Sequence, residues 1–143
     1  MATTDNPFPL PDKLGPTLQR VFAYWEGLER RGNEMPFWDD VKLSALPDLS
    51  DRLLLINVFA DPERFRLNTV GGAFNGAQAA ELPGKFIDEV ELGGGLKFLR
   101  AQASATVEAR VPTCYRAASF SRLLLPMWGD GHIGMLLGAI DRH

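Results

Sequence analysis

The chain has 143 residues, 45% of them hydrophobic and 23% charged, with a net charge of −3. That length and balance describe one globular domain able to bury a core without metal or disulfide staples, and they exclude a disordered chain. A nucleic-acid partner is not expected without a basic face to neutralise phosphates, and the single cysteine, Cys114, excludes an intramolecular disulfide and fits a reducing compartment.

Residues 1–11, interrupted by Pro7, Pro9 and Pro11, are expected to form an extended N-terminal arm, and residues 12–143 one domain. The start lacks the basic end and apolar run of a secretory signal. The apolar stretches at 53–60 and 133–140 are strand-sized and too short to span a bilayer. A cytoplasmic protein with no membrane partner is the resulting expectation. Leu14, Leu18, Val21, Phe22, Trp25 and Leu28 then form one apolar helical stripe, with Asp12 as N-cap and Gly32 as stop. Arg30 and Arg31 would serve the negative end of that helix dipole.

Residues 33–51, with Pro36, Pro47 and Asp39-Asp40, read as an irregular connection containing one helical turn. Arg52–Ala60 and Arg64–Val70 read as strands joined through Asp61-Pro62-Glu63 into a hairpin. A short helix around Ala73–Glu81, a break at Leu82-Pro83-Gly84 and a short segment at Phe86–Val90 follow. After Gly93-Gly94-Gly95 a longer helix is predicted from Leu96 to about Arg110, closed by Pro112. Strands at Thr113–Met127, bent or broken within, and at Ile133–Asp141 are joined by Gly129-Asp130-Gly131. The predicted class is α+β: an antiparallel sheet with helices over one face and an N-terminal amphipathic helix.

The residues add to this order. Tyr24-Trp25 with Leu28, Met35-Pro36, the strand Leu53–Val58, Arg64-Phe65-Arg66-Leu67 and Val70-Gly71 carry a resemblance through the first half. Leu82-Pro83-Gly84-Lys85, Asp88-Glu89, Leu124-Leu125-Pro126-Met127, Asp130-Gly131 and Leu137-Gly138-Ala139 carry it through the second. Over about residues 20–141 the chain resembles a bacterial family of small, often stand-alone PAS-like proteins of largely unknown function. Trp38 stands about where such proteins often have arginine, and Ala79 where they usually have glycine. The resemblance implies a cupped sheet with short helices over its concave face. In PAS domains that cup holds a small molecule, haem or flavin, or is filled with side chains.

The residue types for cofactor or catalytic chemistry are sparse. A flavin-reactive cysteine belongs on a helix, whereas Cys114 opens a strand and reads as a buried or half-buried thiol. Haem needs an axial ligand, and His132 and His143 fall in a turn and at the C-terminus. Nothing has metal-ligand spacing, and no Gly-x-Ser-x-Gly elbow occurs. The glycines at 93–95 lack the Gly-Lys-Ser/Thr of a phosphate loop and read as a loose helix entry. Asp39-Asp40 and Asp88-Glu89-Glu91 read as solvated surface rather than an acid–base pair. Gly134 and Gly138, on one strand face with Leu136 and Ile140, read as places of close packing. No cofactor, metal or catalytic residue is expected.

Ligand-binding candidates are therefore the residues able to line the cup: Asn57, Phe65, Thr69, Phe74, Phe86, Phe98, Tyr115 and Phe120, with Asn68, Asn75 and Trp128 beside them. Alternation alone does not orient them, because a one-residue bulge reverses every assignment. Leu18, Phe22 and Trp25 are partner-binding candidates if the helical stripe is shared with a second chain. The expected function is a non-catalytic sensory or regulatory module in signal transduction, binding a small metabolite in the cup. The alternative is a ligand-free interaction or homodimerisation module working through its N-terminal helix.

Overall fold

Helix α1 spans Pro16–Gly27 and begins at Gly15, with Pro16 at its first position. Proline is pre-set for that position and lacks only an N–H that no helix start uses. The start therefore lies at Gly15 rather than at Asp12. The computed structural model describes residues 8–28, 35–60, 62–75, 81–129 and 131–142. Gly32, Arg30-Arg31, Asp61, Ala79, Asp130 and His143 lie outside the described residues, as does the arm before Phe8.

After α1 the connection makes three short 3₁₀ turns, Trp38–Asp40, Leu43–Ala45 and Pro47–Arg52, where one turn is predicted. Strand β1 (Leu53–Phe59) and strand β2 (Arg64–Val70) form the expected hairpin, with a bulge between Leu55 and Ile56. The short helix α2 is described over Gly72–Asn75. The predicted helix from Leu96 is divided: Gly94–Leu96 form a 3₁₀ turn and α3 runs over Leu99–Ala109. Phe98 sits between them in the left-handed region at φ 61°, which breaks the helix. Strands β3 (Thr113–Arg116), β4 (Phe120–Gly129) and β5 (His132–Arg142) complete the chain.

The result is an α+β fold whose five strands lie in the order β2-β1-β5-β4-β3, every neighbouring pair antiparallel. The first and last strands thus meet in the middle of the sheet, and the chain from α2 to α3 carries it from one edge to the other. The register puts Leu54, Ile56, Phe65, Leu67, Tyr115, Phe120, Arg122, Leu124, Leu136 and Ile140 on one face, called the inner face here. Leu53, Asn57, Phe59, Thr69, Cys114, Leu123, Leu125, Met127, Leu137 and Ala139 share the opposite, outer face.

Helical structure covers both faces. On the inner face Arg122 reaches the Gly95 carbonyl and Gln102 of α3, and Arg142 donates to the Ala73 carbonyl of α2 at 2.6 and 3.0 Å. On the outer face α1 packs on β4 and β5, with Gly15 beside the Asp141 carboxylate. The two layers explain why β4 is buried at every position from Phe120 to Met127. Leu18, Val21 and Trp25 of α1 join the core, and Trp25 Nε1 donates to the Pro126 carbonyl at 2.9 Å. The arm is tied down at its end: Cys114 N–H on the β3 edge donates to the Phe8 carbonyl at 3.0 Å. No helix among the described residues is long and apolar enough to cross a membrane.

Candidate functional site

Among the described residues, the inner face holds one fully buried charged side chain. Arg122 is the third residue of β4, fully buried between the sheet and the 94–102 segment. Its Nε donates to Gln102 Oε1 at 2.8 Å and its Nη1 to the Gly95 carbonyl at 2.7 Å. Both acceptors are uncharged. Nη2 is buried and has no hydrogen-bond partner among the described residues. Burial pulls the guanidinium down to about 10 from its ordinary value, with no carboxylate among the influences that hold it up. A buried cation without a counter-charge is among the more costly things a fold can contain.

A polar network fixes that cation in place. Gln102 Nε2 donates to Thr113 Oγ1 at 3.1 Å and to the Arg122 carbonyl at 3.0 Å, so both ends of its amide are used. Thr106 Oγ1 donates to the Gln102 carbonyl at 2.8 Å, so the 2.6 Å contact between the two threonine hydroxyls is donated by Thr113. Gln102, Thr106, Thr113 and Arg122 are all buried. The network leaves Nη2 as the unpaired donor at its end.

Aromatic rings wall the guanidinium. Its carbon lies 5.2 Å from the Tyr115 ring centre and 5.8 Å from that of Phe120. Tyr115 meets Phe120 edge-on at 5.7 Å and Phe98 edge-on at 5.9 Å. Phe98, 55% exposed and in the left-handed conformation, is the outermost of these rings. Bulky residues keep that conformation only where surrounding structure holds them in it, and such positions gather at binding sites.

The predicted ligand residues therefore divide. Tyr115 and Phe120 lie beside Arg122, and Phe98 joins them through its edge-on contact with Tyr115. Phe74 is buried under the same layer, its backbone against Gly95, and Phe65 is buried on the inner face of the far edge strand β2. Asn57, Thr69 and Phe86 do not join them. Asn57 and Thr69 face outward, and Phe86 packs on Phe59 with its ring under the Arg64 guanidinium. Asn57 lines an outer cavity of about 330 Å³ with Trp38, Phe59, His132 and Met135. Asn68 is exposed on β2, and Trp128 lies beyond the bulge in β4.

Of the partner-binding candidates, Leu18 and Trp25 are spent inside the chain's own core. Phe22 is half-buried and stacks on Trp25. Cys114 is a buried free thiol whose pKa burial pushes up. Among the described residues, no group of three or more His, Cys, Asp or Glu side chains could hold a metal ion.

Sequence reasoning passed over Arg122, and one signal could have found it. In Phe120-Ser121-Arg122-Leu123-Leu124-Leu125 the arginine sits in an almost continuous apolar run, the mark of a strand buried on both faces. A charge there has no solvent side to turn to. No protein family, curated protein or solved structure matches this chain.

Proposed function

We propose that the chain is a non-catalytic sensory or regulatory module resembling PAS domains, and that it takes a small molecule into the cup between its sheet and α3. The single observation carrying this reading is the unpaired Nη2 of Arg122, a buried donor beside the rings of Tyr115 and Phe120. Pre-placed polar groups in an apolar, aromatic surround are the usual makings of a small-molecule site. The element order supports the PAS resemblance: an N-terminal helix, a hairpin, a helical segment that crosses the sheet, then three antiparallel strands. Ligand occupancy would be transmitted through the 94–102 segment, since Gly95 and Gln102 hold the same guanidinium.

The test is native mass spectrometry of the purified protein against its denatured mass. An added mass released on denaturation is the expected result. A protein that retains no small molecule from any growth condition, and whose unfolding responds to no metabolite mixture, would remove this function.

A further inference from the structure

We propose that the cup takes a small monocarboxylate with an apolar body, its carboxylate held by Arg122 Nη2. This rests on the reading of the cup as a ligand site and names the chemical class of the ligand.

The charge balance sets the class. One guanidinium is buried here, and its protein partners, Gln102 Oε1 and the Gly95 carbonyl, supply acceptors but no negative charge. A single carboxylate neutralises it and accepts the orphaned N–H groups in a charge-assisted bond. A phosphate dianion would leave one negative charge uncompensated in an apolar surround, which is disfavoured. A neutral ligand would satisfy the hydrogen bonds and leave the cation unpaired. The neighbours of the guanidinium set the rest of the molecule. Tyr115 and Phe120 present ring surface, and the buried hydroxyls of Thr106 and Thr113 are committed to each other and to Gln102. The remainder of the ligand therefore meets carbon, as an alkyl chain or aromatic ring would require.

The experiment measures thermal unfolding of the full chain with sodium acetate, butyrate or benzoate, against sodium chloride and phosphate at matched ionic strength. Butyrate or benzoate is expected to raise the midpoint by about 4 °C at about ten times its dissociation constant, more than acetate does. Arg122→Met is expected to lose that response. If the variant does not fold, the Arg122 Nε–H resonance of the wild-type protein decides, and it should move on adding benzoate and not on adding chloride. Equal stabilisation by phosphate, or an unmoved Arg122 resonance, would overturn the carboxylate assignment. In that case a neutral molecule released in the mass measurement would leave the ligand-binding function standing, whereas an empty protein would remove both.

Discussion

Arg122 and Gln102 form a fixed pair: Nε donates to Oε1 at 2.8 Å, while Gln102 Nε2 returns a 3.0 Å bond to the backbone carbonyl of the same arginine. One residue of α3 thus bonds both the side chain and the main chain of one residue of β4. Everything proposed for the inner face depends on this arrangement, because it aims the guanidinium and leaves Nη2 free of protein acceptors among the described residues.

Cutting that pair should cost more than cutting the cation. Gln102→Leu strands Arg122 Nε in a buried place and takes a donor from the Arg122 carbonyl and the Thr113 hydroxyl, and about 2–4 kcal/mol of stability should be lost. Arg122→Met replaces an uncompensated buried charge with an apolar chain of similar length, and should be neutral or stabilising in the empty protein. Urea unfolding of both variants checks the order, and a more damaging Arg122→Met would mean that the arginine is structural.

Alkaline pH should narrow the gap between wild type and Arg122→Met. The folded-state value of about 10 lies below arginine's ordinary value, so between the two the unfolded chain binds more protons than the folded one. Stability at this position therefore rises with pH in that window and is flat below it. The difference between the two proteins should be constant from about pH 5 to about pH 9 and shrink above pH 10. A difference that widens there would show that the guanidinium is not held down by burial.

The N-terminal helix should behave as core. Trp25 is 4% exposed and donates to the Pro126 carbonyl, so Trp25→Ala should cost about 3–5 kcal/mol. Phe22→Glu, at a half-buried position, should cost far less and leave the sedimentation mass unchanged. Dissociation of an assembly by Phe22→Glu would instead restore the interaction reading of this helix.

Gly95 should not tolerate a side chain. A Cβ there would stand 2.6 Å from Ile140 Cδ1 and 2.7 Å from the Phe74 carbonyl oxygen, and it would push away the segment whose carbonyl receives Arg122 Nη1. Gly95→Ala is expected to lose about 1–3 kcal/mol, read by chemical unfolding. An unchanged midpoint would mean that the segment is not held tightly over the sheet.

Much of the fold was legible because its signals are local. The Arg64–Val70 strand shows its alternation, Asp61-Pro62-Glu63 its turn chemistry, and the Leu18–Val21–Trp25 stripe its buried face. What was missed is tertiary. Phe98 breaks the predicted Leu96–Arg110 helix by adopting a left-handed conformation that no propensity favours for phenylalanine. Composition alone puts Asn57 and Phe65 in one site, although the register and the Leu55/Ile56 bulge send them to opposite faces. Arg122 escaped notice because its significance comes from the layer above it, built by residues about 20 positions earlier in the chain.

The most direct measurement compares wild type and Arg122→Met, expressed and purified side by side, by native mass spectrometry. Wild type should carry a small added mass that denaturation releases, and the folded variant should carry none. The same bound mass on both proteins, or on neither, would contradict a ligand held through Arg122.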